Sequence, residues 1–157
     1  MNTKPTLSVT VSTWNEYLSL DWRVTEITIP SNTMNDQSIT TLDFSRFKRL
    51  RRITIGDECF MYVQEVRIQE RTALKSIYIG VNSFTKFKNQ MNNDPNRHFY
   101  LTDCHSLREL IIGSKSFSDY TLCDIQRVDA LETIEIGKAF EVSYNFYYSS
   151  FELRSKQ

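Results

Sequence analysis

One phrase, apolar-x-x-apolar-x-apolar-Gly, recurs four times in this 157-residue chain and constrains its fold more than any other feature. It opens at Leu50, Leu74, Leu107 and Leu131 and closes on Gly56, Gly80, Gly113 and Gly137, so the closing residues are 24, 33 and 24 apart. A weaker first copy opens at Val24 and closes on Pro30. The four glycines are the only ones in the chain. They read as turn markers, with Pro30 marking the first turn in a conformation that cannot have positive φ. An anchor follows each turn: Met34, Phe60, Phe84, Phe117 and Phe140. A small residue precedes each anchor: Thr33, Cys59, Ser83, Ser116 and Ala139. A second apolar pair completes each unit, namely Leu42 with Phe44, Val66 with Ile68, Phe99 with Leu101, Cys123 with Ile125, and Phe151 with Leu153.

Apolar residues at every second position make a half-buried strand. A 24-residue unit with two such strands is one turn of a flat coil, which cannot bury its own apolar row. Stacked coils place Ile53 on Ile77 on Leu110 on Ile134, with the Phe anchors as a second internal ladder and the opening Leu residues as a third. The chain has three Ala against 36 Ile, Val and Thr, which disfavours helical repeats. The expected fold is a β-rich repeat solenoid over residues 1–157, with about five coils opening near 24, 50, 74, 107 and 131. A parallel sheet is expected on one face, with short strands or turns on the other. Residues 1–23, where Leu7, Val9 and Val11 alternate, are expected to cap the N-terminal end. The excess of the long unit falls near 88–96, a polar surface loop. The first unit has two extra residues near 35–40, and the last carries five extra residues around 143–151.

The phased frame from Val24 to Leu153 resembles leucine-rich repeats. It is most similar to the BspA-like class, whose units run Leu-x-x-Ile-x-Ile, a turn, then a small residue and Phe. It departs from the general repeat in lacking the usual Asn and in placing Gly after the strand. The resemblance implies an arc-shaped solenoid that binds through its parallel sheet, as surface or interaction proteins do.

The same phase identifies the solvent-facing strand residues: Glu26, Thr28, Arg52, Thr54, Ser76, Tyr78, Glu109, Ile111, Thr133 and Glu135. They form the expected protein-binding face of a non-catalytic interaction module, with Tyr78 and Ile111 the most informative because exposed apolar bulk marks interaction patches. One alternative is a carbohydrate-binding or carbohydrate-active β-solenoid, tested at Glu109 and Glu135. Another is a truncated copy of a longer repeat protein. No nucleophile elbow, phosphate loop, dinucleotide or zinc-protease motif occurs, so no enzyme activity and no cofactor are expected.

Nineteen basic and nineteen acidic residues cancel, which argues against a nucleic-acid partner. Arg46 to Arg52 holds five basic residues in seven, read as a solvated edge with Phe47 and Leu50 inward. Two His and three Cys have no zinc spacing, so no metal is expected. Cys59, Cys104 and Cys123 read as packing thiols rather than a disulfide pair. An odd Cys count and no glycosylation sequon lean toward the cytoplasm, the alternative being a cell-surface or secreted longer chain. No apolar run approaches the ~18 residues of a membrane span. Tyr144, Phe146, Tyr147, Tyr148 and Phe151 crowd the C-terminal end, either as a self-association surface or closing the last coil. That end is expected to pair with another chain or to have once continued into more repeats.

Overall fold

The computed structural model describes residues 6–86, 94–138 and 142–154. Each repeat phrase forms a four-residue strand and each second apolar pair forms another. In chain order the elements are β1 (Ser8–Thr10), α1 (Trp14–Leu18), β2 (Glu26–Ile29), β3 (Thr41–Asp43), β4 (Arg52–Ile55) and β5 (Glu65–Gln69). They continue with β6 (Ser76–Ile79), β7 (Asp94–Thr102), β8 (Glu109–Ile112), β9 (Tyr120–Gln126), β10 (Thr133–Ile136) and β11 (Ser150–Arg154). Successive strands alternate between two sheets, ordered β1-β2-β4-β6-β8-β10 and β3-β5-β7-β9-β11, and every pairing is parallel. This is the arrangement of a β-solenoid. The second side, expected to hold short strands or turns, is a continuous sheet whose strands reach nine residues.

The core lies between the sheets, and the expected stacking appears as register. Ile53 pairs Ile77, Ile77 pairs Leu110, and Leu110 pairs Ile134. The anchors stack ring on ring: Phe60 on Phe84 at 5.2 Å and Phe84 on Phe117 at 4.6 Å, with interplanar angles of 14° and 5°. The next ring on Phe117 is Phe146, at 4.9 Å and 7°. Phe140, expected as the last anchor, and Ala139 before it lie outside the described residues. The anchor observed in that coil is Phe146, so the five extra residues enter between Gly137 and the anchor rather than after it.

The turn geometry explains this shift. The anchors Met34, Phe60, Phe84, Phe117 and Phe146 all have φ between 49° and 63°, and so does or nearly does the residue two before each: Asn32, Glu58, Asn82, Lys115 and Tyr144, between 50° and 67°. A non-glycine residue in this region costs roughly 1–2 kcal/mol. Coil-to-coil hydrogen bonds offset that cost: the N–H of Glu58 donates to the Val81 carbonyl at 2.9 Å, and that of Asn82 to the Ser114 carbonyl at 3.0 Å. The side chain between the two left-handed residues is a hydrogen-bond donor. Cys59 donates to the Pro30 carbonyl at 3.1 Å, Ser83 to Gly56 at 2.8 Å, Ser116 to Gly80 at 2.6 Å and Asn145 to Gly113 at 2.7 Å.

The repeat glycines serve close approach between coils. Only Gly137 has a positive φ, at 75°. A Cβ at Gly113 would lie 2.5 Å from the Gly80 carbonyl carbon, and one at Gly80 would lie 2.7 Å from that of Gly56. Both are backbone atoms that no side-chain rotation can clear.

At the N-terminal end β1 extends the first sheet and α1 covers the coil below it. Thr13 caps the helix, accepting from the Glu16 N–H. Tyr17 is buried edge-on against Phe44 and Phe47, and its hydroxyl donates to the Asp43 carbonyl at 2.8 Å. At the other end Ile134, Phe151 and Leu153 occupy the inward phase yet are 41%, 47% and 54% exposed, because no described strand lies beyond β10 and β11. Within the expected loop, 88–93 lie outside the described residues. Asp94, Pro95 and Asn96 instead begin β7, whose register shifts between Asp94 and His98.

Candidate functional site

Sheet register brings the ten predicted face residues into two straight columns on the outside of the first sheet. Glu26, Arg52, Ser76, Glu109 and Thr133 form one column; Thr28, Thr54, Tyr78, Ile111 and Glu135 form the other. Parallel pairing without a bulge produces this, since each outward residue meets its counterpart one coil on. Tyr78 is 48% exposed and lies beside the half-buried Ile111. The two make an apolar centre, with Thr54 on one side and Glu135 on the other. Glu109 and Glu135 stand in different columns of neighbouring strands, so they do not face each other as a register pair.

Three arginines of the basic run from Arg46 to Arg52 contact the N-terminal segment, and Arg52 stands in the outward column of the first sheet. The Arg46 guanidinium donates to the Tyr17 and Leu18 carbonyls at the end of α1 and lies 4.6 Å over the Phe47 ring. The Tyr17 carbonyl also accepts from the Leu20 N–H at 3.2 Å, and a cation suits the carbonyls of a helix C-terminus. Arg49 lies 5.0 Å over Trp22, and Arg51 donates to Thr6 at 3.0 Å. Phe47 and Leu50 point inward.

The three thiols are free and buried. Burial pushes the Cys104 thiol up to about 11 and raises those of Cys59 and Cys123 as well. None of the three is an activated nucleophile, which needs a lowered value. His98 meets the Pro95 carbonyl at 3.0 Å within its coil, and His105 meets Asp129 of the next coil at 3.3 Å. Among the described residues no three His, Cys, Asp or Glu gather as a metal site, and no helix is long and apolar enough to cross a membrane.

The outer face of the second sheet was not singled out from the sequence, although the same phase rule applies to it. The outward residues of β5, β7 and β9 fall in three columns, Glu65-His98-Leu122, Arg67-Tyr100-Asp124 and Gln69-Thr102-Gln126. Short Thr102 between two glutamines leaves a groove of about 520 Å³. Arg67 lies 4.7 Å over the Tyr100 ring and pairs with Glu65 at 2.6 Å. Arg127 forks onto both oxygens of Asp103 at 2.5 and 2.8 Å, which holds that carboxyl below the usual carboxylate range. Arg71 reaches the same groove from the inward slot that Phe47, Cys104 and Val128 fill in the other coils.

A second polar feature is internal. Arg97 is fully buried, 3.4 Å from Asp119, and donates to Asp94 at 3.3 Å and to the Met61 carbonyl at 2.8 Å. Burial raises the Asp119 carboxyl against the pull of Arg97. Phase gives the signal here, because Arg97 sits two residues before inward Phe99. The network ties the longest coil to its neighbours.

Comparison of the chain with protein families, with curated proteins and with solved structures returns no match.

Proposed function

We propose that the chain is a non-catalytic protein-interaction module of the leucine-rich-repeat kind, close to the BspA-like class, which binds a protein through the outer face of its first sheet. The observation that carries this reading is the Tyr78–Ile111 pair. A large aromatic side chain, half exposed on a regular sheet, lies next to an aliphatic one near the middle of one outward column. Arg52, Glu109 and Glu135 surround it with charge. An apolar centre with a polar rim is the usual anatomy of a protein interface, and Tyr is among the residues that dominate binding energy.

The register supports the same reading. Adjacent coils present their outward residues at the ~4.8 Å strand spacing, so a partner meets a rigid ruler rather than a mobile loop. Backbone ordering is already complete before binding, which lowers the entropic cost of association.

The test is affinity capture followed by identification of bound protein, comparing the parent chain with the Tyr78→Ala/Ile111→Ala double variant. The expected result is a defined captured protein that the double variant loses while its melting temperature is unchanged. Capture that survives the double substitution in full contradicts the assignment to this face.

A further inference from the structure

We infer that the groove across β5, β7 and β9 is a binding site for an acidic saccharide, whose carboxylate is received by Arg71. The site lies on the sheet opposite the proposed protein-binding face and stands or falls independently of it.

The first observation is a buried cation that forms no ion pair among the described residues. Arg71 is 9% exposed and lines the groove. Its Nε donates to the Gln69 carbonyl at 2.9 Å, and its Nη1 is buried with no hydrogen-bond partner. The other two arginines of the groove already have carboxylates, Arg67 on Glu65 and Arg127 on Asp103. Among the described residues none forms an ion pair with Arg71. A guanidinium so placed is disfavoured unless an anion completes it, and its planar fork matches a carboxylate.

The second observation is the chemistry around it. The walls alternate donors and acceptors in one row. Arg67 donates to the Gln69 side-chain carbonyl at 3.1 Å, and the Gln69 amide donates to Thr102 at 3.2 Å. On the opposite wall the Gln126 amide donates to Asp124 at 2.7 Å, and Arg127 donates to the Gln126 side-chain carbonyl at 2.9 Å. These bonds hold the amides and carboxylates in fixed orientations. Glu70 and Asp124 add acceptors. Sugar hydroxyls each donate one hydrogen bond and accept others, which suits such a mixed row. Arg127 already balances Asp103, while Glu70 and Asp124 oppose a dianion about twice as strongly as a monoanion, so one unpaired guanidinium suits a single carboxylate better than a phosphate. The volume lies within the range of small-ligand sites.

The experiment uses an array of glucuronate, galacturonate, mannuronate and guluronate oligosaccharides beside their carboxyl-reduced counterparts, with an acidic peptide as a control arm. Titration calorimetry then follows on the strongest acidic binder. The expected result is binding to an acidic saccharide and not to its reduced form, weakened at least tenfold by Arg71→Met and by Asp124→Asn. Arg71→Met should melt no lower than the parent, because it removes an unpaired buried charge. Arg71→Lys keeps the charge without the fork and should bind with intermediate affinity. Tyr78→Ala should bind as the parent does. Four results overturn the proposal: no acidic saccharide bound, equal binding of reduced and acidic forms, binding only of the acidic peptide, or parent-like affinity in both Arg71 variants.

Discussion

At Gly113 one methyl group decides whether two coils can touch. Its missing Cβ would sit 2.5 Å from the carbonyl carbon of Gly80, and Gly80 in turn stands over Gly56. Glycine is therefore required by proximity and not by φ, which is positive only at Gly137. The left-handed turn conformations fall to Asn, Glu, Lys, Met and Phe, residues that pay for them through interlocked hydrogen bonds. Gly113→Ala should destabilise by about 1–3 kcal/mol, the range for forcing extra bulk into a filled space. Urea unfolding measures this, with outward-facing Thr54→Ala as the reference, expected to stay within about 0.5 kcal/mol. A Gly113→Ala variant as stable as the reference would show that the coils do not approach so closely.

At the scale of single elements, strand positions and most of the anchor ladder are legible because an inward residue every second position repeats in phase. The last anchor is not. Phe140 and Phe146 both follow Gly137 in the sequence, and spacing alone prefers the nearer. What separates them is the residue before the anchor. That slot reads as small, yet its physical task is donation to the carbonyl of the preceding coil. Cys59, Ser83, Ser116 and Asn145 all perform it, and Ala has no side-chain donor. Arg97 hides for a related reason: it is inward by phase but borders a stretch whose polarity reads as loop. The ladder predicts that Phe146→Ala costs about 3 kcal/mol, the low end for a buried Phe because no described ring stacks beyond it. The exposed neighbour Tyr148→Ala should cost well under about 1 kcal/mol. Chemical denaturation compares the two, and equal costs would remove Phe146 from the ladder.

For the molecule as a whole, two all-parallel sheets close one continuous core and leave two different outer surfaces. The first presents short, simple columns with an apolar centre at Tyr78 and Ile111. The second presents longer side chains locked to one another around a groove. The first surface is legible in the sequence because its phrase repeats regularly. The second is hidden because its strands vary from three to nine residues, which blurs the phase there. The charge balance made the arginines of β5 and its following turn look unremarkable, since their importance depends on which of them lacks a carboxylate.

Both surfaces depend on coils stacked in register, and that claim has a direct measurement. Glu26 and Thr133 stand in one column, on β2 and β10, separated by the intervening strands β4, β6 and β8. Four strand spacings place them about 19 Å apart. Electron–electron double resonance between nitroxide labels at these two positions should give one narrow distribution near that separation, after allowance for the label arms. A centre displaced by more than one strand spacing, about 5 Å, or two resolved distances, would contradict in-register stacking and with it both proposed binding surfaces.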